Sequence, residues 1–153
     1  MATKVAINGF GRIGRLVARA ILSRTDHDLE LVSINDLGDA QSNALLFKRD
    51  SVHGNWAGEV SVDGNFLVVD GKRIAVTAER DPAKLPHAAQ GVDIALECTG
   101  IFADKEKASA HLTAGANCRE HHYKITVYAD RDGKLRGVEC EATVDSGAYS
   151  SYP

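Results

Sequence analysis

Three glycines set directly behind a short apolar run constrain this chain more than any other feature. Val5-Ala6-Ile7 reads as a strand buried on both faces, and Gly9, Gly11 and Gly14 follow it as G-x-G-x-x-G. An amphipathic helix pattern begins at once. Each glycine has its own task in such a strand–turn–helix unit. The first allows a tight turn. The second leaves no Cβ where a pyrophosphate would approach the backbone, and the third lets the helix pack closely on the strand. The helix start then offers unpaired N–H groups and a partial positive charge to phosphate oxygens.

A glycine triplet alone is weak evidence, so its context decides. Leu29 to Asp36 reads as a second strand ending in an acid, and Asp36 lies 22 positions beyond Gly14. A dinucleotide fold places the carboxylate that holds the adenosine ribose at an interval of about 20. A carboxylate there accepts hydrogen bonds from ribose hydroxyls and repels a 2′-phosphate. The pattern therefore favours NAD over NADP as cofactor.

The residues carrying these signals also resemble a family. Val-Ala-Ile-Asn-Gly-Phe-Gly-Arg-Ile-Gly-Arg, within Lys4–Asp36, looks like the start of a glyceraldehyde-3-phosphate dehydrogenase. The likeness continues through Ala44-Leu45-Leu46-Phe47-Lys48-Arg49-Asp50-Ser51-Val52-His53-Gly54, resumes at Glu97-Cys98-Thr99-Gly100-Ile101-Phe102 and runs to about Ala116. It implies a site residue by residue. Gly9, Phe10, Gly11, Arg12, Ile13 and Gly14 match the pyrophosphate turn. Asn35, Asp36 and Leu37 match the ribose and adenine edge, and Arg80 matches an arginine near the adenine. Thr99, Gly100 and Phe102 match strand-end contacts. The resemblance also implies aldehyde oxidation by a cysteine nucleophile with a histidine base, hydride passing to NAD, and homo-oligomers of four. The Ser-Cys-Thr-Thr-Asn context of that nucleophile is not among these residues. Cys98 matches a strand-end cysteine instead. The expectation is a dinucleotide-binding fragment with no catalytic residue and no turnover, whose catalytic half and much of whose oligomer interface are missing. The alternative is a chimeric chain that binds no nucleotide.

Taken in order, the chain predicts an α/β fold. It is a Rossmann-like, doubly wound, mostly parallel sheet with an antiparallel meander inserted at about 58–78 and a C-terminal hairpin. Arg12 to Ser23 is the first helix, with Ile13, Leu16, Val17, Ala20 and Ile21 on the buried stripe and Arg15, Arg19 and Arg24 outside it. Asp39 caps a short helix, Ala40 to Phe47. Ser51 to Gly58 reads as a loop. Strands at Val60–Val62, Phe66–Val69 and Arg73–Thr77 are punctuated by Asp63-Gly64 and Asp70-Gly71, hairpin signals because both turn positions favour positive φ. Asp81-Pro82 starts a brief helix. Val92 to Glu97 is a second fully buried strand, and Asp104 to Ala114 a helix with Ala108, His111 and Leu112 turned partly inward. His111 reads as a helix-face histidine.

After Ala116 the text changes. All four tyrosines lie beyond residue 122, whereas all four phenylalanines lie before residue 103. Lys124–Ala129 and Leu135–Val144 read as strands joined by a turn at Asp130–Lys134. About Arg119 to Pro153 resembles a short piece of the large subunit of the molybdenum hydroxylases, the aldehyde and xanthine oxidoreductases. That piece is too short for a molybdenum site, so no residue role follows from it. The expected division is 1–116, a NAD-binding domain, and 117–153, a foreign hairpin that completes or flanks the sheet.

The bulk properties exclude other classes. A net charge of −3 gives no reason to expect nucleic acid or an anionic membrane as partner. No apolar run approaches the roughly 18 residues of a membrane span, and the first residues lack a secretory pattern, so the cytoplasm is the expected location. Cys98, Cys118 and Cys140 have no C-x-x-C spacing, which argues against disulfides or zinc. His121 and His122 are adjacent and would point to opposite faces of a strand, so no metal site is expected.

Overall fold

A computed structural model of the chain describes residues 2–102, 104–114, 120–129 and 135–145, with side chains through residue 114 except those of residues 105 and 112. The chain forms two compact units, Met1–Asn117 and Cys118–Pro153.

The first unit begins with β1 (Thr3–Asn8), α1 (Arg12–Ser23), β2 (Leu29–Asn35), α2 (Ala40–Lys48) and a two-residue ladder of β3 (Arg49–Asp50) with β4 (Gly54–Asn55). That ladder lies partly within the stretch expected to be plain loop. The meander follows as β5 (Val60–Asp63), β6 (Phe66–Val69) and β7 (Lys72–Thr77). A 3-10 turn at Pro82–Lys84, α3 (His87–Gln90), β8 (Ile94–Glu97), α4 (Lys105–Ala108) and α5 (Ala110–Thr113) complete the described part. The sheet order is β5-β6-β7-β2-β1-β8. β7, β2, β1 and β8 are mutually parallel, and β5 and β6 are antiparallel. The last strand of the meander is thus itself the third parallel strand. At the Asp70-Gly71 turn both residues have positive φ, 50° and 80°. In the first turn only Gly64 does, because the central pair there is Gly64-Asn65.

The core lies between α1, α2 and the sheet. Val5, Ile7, Ile34, Leu67, Val69 and Ile74 come from the strands, and Phe10 stacks on Phe47 at 6.1 Å. Trp56 leans on Phe47 at 5.2 Å and donates its Nε1–H to Asp70.

The structure corrects four readings. The buried face of α1 is Gly14, Ala18 and Ile21, not a stripe that includes Ile13 and Ala20; Ile13 is 59% exposed. Small residues face the sheet because the helix lies close to it, and a search for large apolar side chains passes over them. Second, Arg19 is buried, not solvated. Its guanidinium donates to the carbonyls of Phe47 (Nε, 3.1 Å), Lys48 (3.3 Å) and Gly54 (2.9 Å), and it lies over the Phe47 ring. It meets the carbonyl end of α2, where a positive charge is favoured. Third, β8 is half-buried along its length, because it ends the six-stranded sheet among the described residues. Fourth, the helix expected over Asp104–Ala114 is two short helices. Ser109, at the break, bonds its hydroxyl back to the Glu106 carbonyl, the local competition that makes serine a poor interior helix residue.

The second unit contains β9 (Glu120–Ala129) and β10 (Leu135–Asp145), paired antiparallel as a sheet of their own. Both strands are longer than the sequence reading gave. The turn at 130–134 lies outside the described residues.

Arg19→Met should cost roughly 2–3 kcal/mol, because it leaves buried carbonyls at the end of α2 without donors. Urea unfolding measures this; a midpoint equal to that of the parent chain would show that the guanidinium is dispensable.

Candidate cofactor site

The carboxyl ends of the four parallel strands meet around one cleft of about 480 Å³. Asn8 and Gly9 come from the end of β1, Asn35, Asp36 and Leu37 from β2, Glu79 and Arg80 from beyond β7, and Cys98, Thr99, Ile101 and Phe102 from beyond β8. β1 has β2 on one side, reached through α1, and β8 on the other, reached from β7 by a crossover through α3, so the strand order reverses at β1. A crevice at such a reversal is where open α/β sheets bind ligands.

The glycine turn shows three different constraints. Gly9 has φ +91°, and a Cβ there would lie 2.7 Å from the Thr99 backbone nitrogen. A Cβ on Gly14 would lie 2.0 Å from the Gly9 carbonyl oxygen, so α1 rests directly on the turn. A Cβ on Gly11 would meet nothing within 4 Å. That open face lies on the cleft and leaves the backbone approachable. Gly11 also begins α1 with no side-chain cap and no acid in the first turn. By contrast, Asp39 caps α2 by accepting from the Ser42 N–H at 2.7 Å. The uncapped amides of α1 suit phosphate oxygens.

Asp36 closes the turn. One carboxylate oxygen accepts from the Phe10 N–H and the other from the Gly38 N–H, both at 2.8 Å. A carboxylate has about four acceptor positions, so capacity is left for two hydroxyls.

The floor is polar and buried. Asn35 accepts from the Thr77 hydroxyl and the Glu79 N–H, each at 2.8 Å, and donates to the Glu79 carbonyl (2.8 Å) and to Asn8 Oδ1 (2.7 Å). Asn8 Nδ2 donates to Glu97 Oε2 at 2.6 Å. Glu97 also contacts His111 Nε2 at 2.9 Å, the Thr99 N–H at 2.7 Å and the Thr99 hydroxyl. His111 in turn meets His87 at 3.2 Å. Burial raises the Glu97 carboxyl, but hydrogen bonds from His111, Thr99 and Asn8 outweigh it and leave it below its ordinary range. Burial, with His111 nearby, lowers His87 to about 4. Burial, with Glu97 alongside, raises the Cys98 thiol to about 11.

Of the residues singled out in the sequence, Gly9, Gly11, Asn35, Asp36, Leu37, Arg80, Thr99 and Phe102 line this cleft. Phe10, Arg12, Ile13, Gly14 and Gly100 do not. Phe10 is a core side chain whose backbone alone reaches the site. Gly14 acts beneath the turn, and Arg12 and Ile13 are exposed at the start of α1. Asn35 lines the cleft, yet all four of its amide positions are used within the protein. His111 is 5% exposed and part of the floor, more than a helix-face residue. Sequence reading missed Asn8, Glu79 and Glu97. For Asn8 and Glu97 the available signal was the polar residue that ends an otherwise apolar strand; Glu79 lies beyond the end of β7. No group of three or more metal-ligating side chains is present among the described residues.

Comparison with known proteins agrees with this geometry. Residues 3–105 match the family described as glyceraldehyde 3-phosphate dehydrogenase, NAD binding domain. The chain is 72% identical over 116 residues to the glyceraldehyde-3-phosphate dehydrogenase of Zymomonas mobilis, covering 76% of this chain and 34% of that protein. It is 56% identical over 133 residues to that of Xanthobacter flavus, covering 87% and 38%. It is 51% identical over 150 residues to that of Pseudomonas aeruginosa, covering 96% and 41%. The chain spans between a third and about two-fifths of the length of these relatives.

Two outcomes follow from the site. Gly14→Ala should cost roughly 1–3 kcal/mol through overpacking, whereas Gly11→Ala should leave thermal stability unchanged and weaken only ligand binding. Equal melting temperatures for both variants would contradict the packing described. Next, His87 is lowered in the fold from 6.5 to about 4, so the unfolded chain binds more protons between these values. Its contribution, roughly 3 kcal/mol at most, is complete above pH 6.5 and fades as pH falls towards 4. Urea midpoints should drop over that window, and His87→Gln should flatten the profile.

Proposed function

This chain belongs to the glyceraldehyde-3-phosphate dehydrogenase family through its NAD-binding domain, and from that premise we propose that residues 1–116 grip the adenosine and pyrophosphate half of NAD. They would do so for an oxidoreductase that oxidises an aldehyde with hydride transfer to NAD. The observation that carries this reading is the Asp36 carboxylate, fixed by two backbone N–H groups at one lip of a cleft that also holds the bare Gly11 face and the uncapped start of α1.

The residues present fit the cofactor. Gly11 leaves the space a pyrophosphate needs, and the α1 amides supply donors for its oxygens. Asp36 retains acceptors for both ribose hydroxyls and opposes a 2′-phosphate. Leu37 and Ile101 give the cleft exposed apolar surface, 60% and 69% accessible, suited to a flat base. NAD, when bound, supplies the hydride acceptor. Arg80 adds positive charge at the β7 side.

Within these residues we assign no nucleophile. At a pKa of about 11 only about one Cys98 thiol in ten thousand is ionised at pH 7. Residues 119–153 take no part in the proposal, and no residue role comes from them. Among the described residues no helix is long and apolar enough to cross a membrane. The cytoplasm, where free NAD is available, is the location we assign.

A calorimetric titration tests the proposal. Saturable heat with NAD and at least tenfold weaker binding of NADP are expected. The absence of heat with either dinucleotide would overturn it and favour a chain that binds no nucleotide. NADH formation from glyceraldehyde 3-phosphate by the purified chain would refute the absence of a nucleophile.

A further inference from the structure

The polar floor of the cleft has a direction. A carboxylate only accepts hydrogen bonds, so His111, 2.9 Å from Glu97, donates from Nε2. Its Nδ1 meets His87 Nε2 at 3.2 Å. His87 Nδ1, also buried, has no partner among the described residues. From the other side Thr77 donates to Asn35, Asn35 to Asn8, and Asn8 to Glu97. Both arms end on one carboxylate. Its other oxygen accepts the N–H and the hydroxyl of Thr99, the residue against which Gly9 is packed.

We infer that Glu97 is a positioning residue for the cofactor, acting through Thr99 on the β8 side of the cleft and tied through Asn8 to the β2 side. The Asn8 amide is oriented between this acceptor and Asn35, whose own orientation the Glu79 backbone fixes. Asn8 cannot reverse, because Asn35 occupies its oxygen with a donor of its own. Glu97→Gln places an amide N–H₂ against either the Asn8 N–H₂ or the Thr99 donors. One contact becomes donor against donor, and the Thr99 turn is released. The inference rests on the NAD-binding reading, and it concerns the pyrophosphate, whose turn at Gly9 packs against Thr99. Asp36 and Arg80 come from the end of β2 and from beyond β7, and Asp36 is held by the Gly38 N–H as well as by the Phe10 N–H.

The test compares the parent chain, Glu97→Gln and the double variant Asn8→Asp/Glu97→Gln. In the double variant the carboxylate moves one place along the chain. The new acid at position 8 accepts from Asn35 and from the new amide at position 97, whose oxygen again accepts from Thr99, while His111 takes the tautomer that accepts from the amide at Nε2. Affinities for NAD and for adenosine are measured by calorimetry, and folding by thermal melts. Glu97→Gln should lose at least tenfold in NAD affinity while adenosine binds within about twofold of the parent. The double variant should recover NAD affinity to within about threefold. Equal NAD affinity of parent and Glu97→Gln, a parallel loss of both ligands, or a folded double variant without recovery would each overturn the inference. If Glu97→Gln does not fold, the double variant decides: folded and binding NAD supports the chain, and unfolded or non-binding refutes it. A parent chain that binds no NAD would instead refute the cofactor reading itself, and this inference with it.

Discussion

The contact between Gly14 and the Gly9 carbonyl governs the first unit. With no Cβ between them, α1 sits directly on the turn that follows β1. This one approach orients the helix. It turns Gly14, Ala18 and Ile21 towards the sheet, leaves Ile13 in solvent and aims the uncapped helix start at the cleft. Gly9 is held from the other side by Thr99 and Cys98. The turn is therefore clamped between a helix and the end of β8, and its shape is set before any ligand arrives. A preorganised turn of this kind spends little ordering entropy on binding.

The second organising feature is a charge placed where charges are costly. Glu97 is half-buried at the end of β8, and an unpaired carboxylate there would neutralise or unfold its surroundings. Four donors hold it ionised. Networks of this sort are demanding, since each member left unpaired costs more than a missing apolar contact. Their benefit is geometry. The same bonds that keep Glu97 charged bind β8 to β1, while the Asn8–Asn35 bond carries the connection on to β2 and the Glu79 segment. The rigid floor contrasts with the lips, where Leu37 and Ile101 stand exposed. Arg19 repeats the logic on the far side of the core, as a buried cation whose partners are helix-end carbonyls.

Much of this architecture was legible in the residues. The strand at Val5–Ile7, the glycine spacing, the bounds of α1 and the acid after β2 depend on local rules: side-chain period, φ freedom and capping. The meander was legible for the same reason, through its two Asp-Gly pairs. Arg19 was misread because period alone sorts a helix into wet and dry faces and has no place for a charge that finds carbonyls inside. The facing side of α1 was misread because glycine and alanine carry little apolar surface. His111 looked peripheral because its partners, Glu97 and His87, are 14 and 24 positions away.

The sequence by itself determined the parallel βαβ beginning, the meander and the cofactor class. These follow from interactions between near neighbours in the chain. The tertiary structure alone decided which of the singled-out residues share one cleft and which, like Phe10 and Gly14, work beneath it. It also decided that Asn8, Asn35, Glu97, His111 and His87 form one floor. The physical reason is that hydrogen bonds between strand ends join residues up to 89 positions apart, and their pairing is set by sheet order and register, which no local pattern encodes.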